Sequence, residues 1–190
     1  MKTSLKVAII ASIFVHFSCQ VSSYKIIVVP QKGICINNDS VVLGNTTIKK
    51  LLEITHQKDT FSLTSKAFSQ MDINTALVTP IDGYKKNVLF KGIDFEYEGL
   101  NKDSLKLSLI TIKETSNLDV FIHDSIRLGQ TNPQIYKIYH TSSDGLMYSQ
   151  DSLTFDFFNL GIGFKFVKLN QDKILSEVFI HNPKISLAEY

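Results

Sequence analysis

The sequence predicts an α+β fold: two β-rich tandem repeats, each a short helix packed on an antiparallel sheet, following an N-terminal export signal. Three observations predict it. Asp39-Ser40-Val41-Val42-Leu43-Gly44-Asn45-Thr46 returns as Asp124-Ser125-Ile126-Arg127-Leu128-Gly129-Gln130-Thr131. Lys91-Gly92-Ile93-Asp94-Phe95-Glu96-Tyr97 aligns without gaps to Leu160-Gly161-Ile162-Gly163-Phe164-Lys165-Phe166, and residues 100–105 continue in the same register to 169–174. Two motifs in the same order argue for one supersecondary unit built twice. Lastly, Lys2 and Lys6 precede an apolar run at 7–17 that is too short to span a bilayer, which is the form of an export signal.

The signal has two candidate ends. Ser18-Cys19 is a small residue before a cysteine, as in lipoprotein signals, and cleavage there over residues 1–18 leaves Cys19 as the lipidated residue; Val21-Ser22-Ser23 suits ordinary signal peptidase, with cleavage after Ser23. The lipoprotein reading places the chain as a periplasmic or membrane-anchored protein of a bacterial envelope; the other makes it a secreted soluble protein. Either way Cys35 has no intramolecular partner, so no structural disulfide is expected. In Gly33-Ile34-Cys35-Ile36 it reads as a small apolar side chain.

At 190 residues, with 44% hydrophobic and 20% charged residues, the chain is long enough to bury a core and too apolar to be disordered. Its net charge is +2, and residues 1–18 carry two lysines and no acid, so what remains is neutral. With Arg127 the one arginine in the chain, a basic footprint for nucleic acid is absent.

Repeat one covers residues 24–114. Residues 24–29 are β-branched and stop at Pro30, giving a strand; a second follows at 34–37 and a third at 40–43. Gly44 breaks the chain, Thr46 or Thr47 caps a helix, and Ile48, Leu51 and Leu52 share one face of it. The helix ends near Thr55 and His56. Copy one is offset from copy two by 85 residues at the first motif and by 69 at the second, so it carries 16 extra residues between helix and hairpin. These fall in an insertion over about 57–86, where a second helix is read around 65–71. Ile93, Phe95 and Tyr97 then alternate with Asp94, Glu96 and Glu98, a strand with an apolar and an acidic face. Closure of this hairpin with Glu98 opposite Ser104 sets Glu96 against Lys106 and Phe95 against Leu107, with Leu105, Leu107 and Leu109 inward.

Repeat two covers 118–182, before a C-terminal tail at 183–190. Its strand at 118–123 precedes a helix capped by Thr131 or Asn132 and opened by Pro133. Strands follow at 146–148, 153–158, 161–168 and 173–181.

A Gly-x-Thr break, a short helix and an antiparallel meander, present twice, resemble the tandem fold of the β-lactamase inhibitory protein and the small outer-membrane lipoproteins of the barrel-assembly machinery. Gly129, Thr131, Ile135, Ile138 and Tyr139 stand in the family's positions. Neither copy has the Gly-x-Pro that ends the family's helix, nor the inhibitor's disulfides. The resemblance implies a fold and a protein-binding role.

Candidate chemistry is sparse. Asp94, Glu96 and Glu98 suit a calcium site, an acid/base pair or a solvated sheet face, and the last is favoured because copy two has Gly163, Lys165 and Val167 there. His56, His123, His140 and His181 are not spaced as metal ligands; His56 and His140 sit at helix ends, where a histidine complements the dipole, while His123 and His181 sit near strand ends. No catalytic, metal or cofactor motif is present. The expectation is a non-enzymatic protein that binds or scaffolds another envelope or secreted protein, held to the membrane through Cys19 if that residue is lipidated. The alternative is an inhibitor or immunity-type protein docking a sheet face on an enzyme. Tyr136, Tyr139 and Tyr148 form the expected partner face, since tyrosine is enriched at interfaces.

Overall fold

The structure, a computed structural model, describes residues 24–58, 63–71, 78–115, 118–123, 126–131, 135–139, 146–148 and 153–183. The export signal, both cleavage sites and Cys19 lie outside the described residues, as do His140 and the tail from 184.

The β-branched run forms β1 (Tyr24–Val29), and a turn at Pro30 leads to β2 (Gly33–Ile36) and β3 (Asp39–Val42). Helix α1 (Ile48–Thr55) starts where Thr47 accepts a hydrogen bond from the Lys50 N–H at 3.2 Å, and it stops at His56, left-handed with φ 54°. It buries Leu51 and Ile54. A long hairpin follows, β4 (Leu63–Met71) and β5 (Val78–Phe90), then β6 (Ile93–Gly99), a 3-10 turn at Lys102–Ser104, and β7 (Lys106–Lys113). The second half runs β8 (Leu118–His123), β9 (Ile126–Arg127), a single helical turn α2 (Ile135–Tyr139), β10 (Leu146–Tyr148), β11 (Thr154–Phe157), a 3-10 turn at Phe158–Leu160, β12 (Ile162–Leu169) and β13 (Asp172–His181).

Two sheets result. The small one has the order β3-β2-β1-β8-β9, with β1 and β8 parallel. The large one has the order β10-β11-β12-β13-β7-β6-β5-β4: two antiparallel meanders joined where β13 meets β7, with Ile180 opposite Ile110 and Val178 opposite Ile112. One core fills the space between them. Ile26, Val28, Ile34, Ile36, Val120 and Ile122 come from the small sheet, and Val88, Phe90, Ile93, Phe95, Tyr97, Ile110, Ile112, Phe164, Val178 and Ile180 from the large. Each such side chain contributes about 1.5–3 kcal/mol through removal from water, so this interlayer is what holds the sheets together.

The fold is therefore mainly β, and the expected α+β class with a helix on each of two repeats is overturned. Among the described residues only α1 runs two turns; α2 is a little over one, and of its two expected caps Thr131 instead bridges to Ile174 while Asn132 lies outside the described residues. Nor do the halves stand as separate units, because both sheets draw strands from each. The halves correspond in their meanders and in the left-handed glycine after β3 and β9, where the Gly44 N–H donates to the Leu107 carbonyl and the Gly129 N–H to the Leu175 carbonyl, both at 2.8 Å. β6 and β7 shift register between Glu96 and Tyr97, and β12 and β13 between Lys165 and Phe166. At the extra residue of each bulge a serine hydroxyl donates back across, Ser108 to the Glu96 carbonyl and Ser176 to the Lys165 carbonyl, both at 3.1 Å.

Two further expectations are corrected. The segment at 65–71, read as helix, belongs to β4. The hairpin closes two residues further along than expected: Glu98 lies opposite Lys106, Tyr97 opposite Leu107 and Phe95 opposite Ile110. The 3-10 turn lengthens the connection, and the bulge at Ser108 then moves Leu109 to the opposite face from Leu107, beside Glu96.

Candidate functional site

With one face of the large sheet on the core, the alternation of its strands assigns the other face. Cross-strand registers give its rows: Lys85, Glu98 and Lys106 across β5, β6 and β7; Asn87, Glu96 and Leu109; Leu89, Asp94 and Thr111; and Thr154, Lys165, Glu177 and Lys113 across β11, β12, β13 and β7. On this open face Leu109, Thr111, Thr154, Lys165, Glu177 and Phe179 line a cleft of about 250 Å³. It lies at the seam of the two meanders. Its base is apolar through Leu109 and Phe179, its walls carry two threonines, and Lys165 Nζ sits 3.3 Å from Glu177 Oε1.

Beside the cleft the face is closed by a buried polar pair. His181 Nε2 lies 3.0 Å from Asp156 Oδ1, and His181 Nδ1 lies 3.1 Å from the Asn182 carbonyl oxygen. The imidazole is 1% exposed, and the rings of Phe179 and Phe158 stand on either side at 6.4 and 6.0 Å. Gly163 permits this arrangement: a Cβ there would come within 2.0 Å of the Phe179 ring. Asp156 Oδ2 is buried without a hydrogen-bond partner among the described residues.

The carboxylate stripe of β6 occupies the other side of the face, and each of its three carboxylates has a partner. Asn87 Nδ2 donates to both Asp94 oxygens at 3.0 Å, Lys85 pairs with Glu96, and Lys66 pairs with Glu98 while standing 3.8 Å from Glu96. Burial pushes the Glu96 carboxyl above its ordinary value; the bond from Lys85 lowers it, and Glu98 raises it. Lys106, expected opposite Glu96, is opposite Glu98. Among the described residues no three His, Cys, Asp or Glu side chains come together as a metal-binding group.

No family model, curated protein or solved structure matches this chain. What the fold says of its use therefore rests on this geometry alone.

Of the residues expected as a partner face, Tyr139 is placed differently. Tyr139 is in the core: it is 8% exposed, its hydroxyl donates to the Ile122 carbonyl at 3.4 Å, and its ring packs on Phe164 and Phe157 at 5.4 and 5.7 Å. Burial pushes its phenol up to about 12. Tyr136 follows in α2 and Tyr148 ends β10, their side chains outside the described residues. Cys35, half-buried, has its Sγ 3.7 Å from Ser40 Oγ and is not part of the open face. Sequence reasoning missed the cleft and the Asp156–His181 pair. A local signal existed for one of them: Asp156 interrupts the apolar Phe155-Asp156-Phe157-Phe158, a place where a charge needs a partner.

Proposed function

We propose that the protein is an exported, non-enzymatic binding protein that docks the open face of its large sheet on another envelope or secreted protein. The observation that supports this most is the cleft in that face, at the seam where β13 meets β7. A broad sheet face with an apolar hollow and a polar rim has the anatomy of a protein interface. Export rests on the basic and apolar N-terminal segment, and anchoring on lipidation of Cys19.

A binding role fits the polar pair better than catalysis does. Both imidazole nitrogens of His181 are hydrogen-bonded, one to Asp156 and one to the Asn182 carbonyl, and the ring is 1% exposed, which favours a bracing role for the pair.

The test is site-specific photocrosslinking in the living envelope. A crosslinker in place of Thr111, on the open face, is expected to trap a discrete partner protein, and one in place of Ile27, on the outer face of the small sheet, is not. Capture from Ile27 alone would sink the reading. Mass spectrometry of the mature N-terminus separates a lipidated Cys19 from an unmodified start at Tyr24.

A further inference from the structure

The ion pairs of the open face are layered. Lys85 is 28% exposed above Glu96 at 9%; Lys66, at 32%, stands above Glu96 and above Glu98 at 16%; and Lys165, at 51%, stands above Glu177 at 22%. In each of these pairs the ammonium is the outer member. The rows repeat the arrangement in the plane of the sheet, for Glu98 lies between Lys85 and Lys106 and Glu177 lies between Lys165 and Lys113, so each of these carboxylates is flanked by lysines on both sides. Lys106 and Lys113 are exposed and mark the two ends of β7, with Leu109 and Thr111 of the cleft between them.

Five lysines, Lys66, Lys85, Lys106, Lys113 and Lys165, thus stand against four carboxylates, Asp94, Glu96, Glu98 and Glu177, and an approaching partner meets ammonium groups before carboxylates. Building on the binding role above, we propose that the open face binds a carboxylate-rich segment of a partner protein, with one carboxylate entering the cleft. There it would meet the Thr111 hydroxyl and compete with Glu177 for Lys165 Nζ, which stands 3.3 Å from Glu177 Oε1, its methylenes lying on Leu109 and Phe179. Lys106 and Lys113 are about 20 Å apart at the rise of an extended strand, so an extended segment of six or seven residues with acids near both ends reaches both. Complementary charge of this kind sets encounter rate and partner choice.

The test uses poly-L-glutamate as the probe and fluorescence anisotropy as the readout, on the mature protein. The proposal expects saturable binding that weakens as salt rises and falls about tenfold or more in the Lys106→Glu, Lys113→Glu, Lys165→Glu triple variant. Lys49→Glu, on the exposed side of α1, should bind as wild type. Thermal melts establish that each variant is folded. Undiminished binding by the triple variant, preference for poly-L-lysine, or stronger attachment to phosphatidylglycerol vesicles than to polyglutamate would each overturn the acidic-partner assignment. The Thr111 photocrosslink separates this failure from that of the binding role: a trapped partner with no polyglutamate affinity removes the acidic chemistry and leaves the docking face, while loss of both removes the face as well.

Discussion

Breaking the Asp156–His181 pair tests whether the open face is braced beside the cleft as described. In His181→Ala the Asp156 carboxylate stays buried with neither oxygen partnered, since Oδ2 already lacks a partner among the described residues and Oδ1 loses the imidazole. Removing one member of a buried pair costs about 3–5 kcal/mol, a large share of the 5–15 kcal/mol that holds a typical domain together. In a chain of this size that lowers the midpoint of thermal unfolding by about 6–20 °C. Asp156→Asn keeps the shape and an acceptor facing Nε2, so it should cost less, about 1–3 kcal/mol. The Asp156→Leu, His181→Phe double variant replaces the pair with apolar side chains against Phe158 and Phe179 and should recover most of the loss. Urea denaturation of Asp156→Leu, His181→Phe and their double variant closes the cycle and gives the coupling. Effects of the two sites that add to within about 0.5 kcal/mol would show that no such pair operates and would refute the reasoning.

Three further outcomes are expected. Tyr139→Ala should destabilise the protein by about 3–5 kcal/mol by urea denaturation, as buried aromatic truncations do, and leave partner capture by the folded fraction unchanged; intact stability with lost capture would return this residue to an interface. Tyr97→Phe should leave stability unchanged or raise it by about 1 kcal/mol, because the hydroxyl it removes is buried without a partner among the described residues; a loss above about 1 kcal/mol would reveal a hydrogen bond there. For Glu96 the sign follows from a folded-state carboxyl titrating above its ordinary 4.5: as pH rises past that value the unfolded chain gives up this proton first, so folding stability from Glu96 falls until the folded-state group has also ionised. Glu96→Gln should flatten that part of the stability–pH curve, and an unchanged slope would assign it to another group.

Much of the fold was legible in local pattern. The alternation through β6 and the β-branched run of β1 named their strands, and the pair Thr46 and Thr47 named the start of α1, because each signal is carried by residues that touch within one element. Register was not legible, since the 3-10 turn at Lys102–Ser104 and the bulge at Ser108 shift the pairing without any marked residue type. β5 was hidden by Pro80 and Gly83, residues that ordinarily interrupt strands. Fold class failed for a nonlocal reason: the repeated Gly-x-Thr motif advertised a helix twice, whereas the architecture is set by β13 meeting β7 and β1 meeting β8, pairings between distant segments that no window of sequence displays. Tyr139 was misplaced although its position was readable. Ile135, Ile138 and Tyr139 stand at i, i+3 and i+4, one face of a helical turn, and its buried neighbour Ile135 marks that face as the core side.

The docking face is tested most directly by amide NMR of the mature protein during titration with polyglutamate. Shifts should concentrate at Thr111, Lys113, Lys165, Glu177 and Phe179, with β1, β2 and β3 unmoved. Shifts confined to the small sheet, or spread evenly over both sheets, would contradict the assignment of the open face as the surface this protein uses.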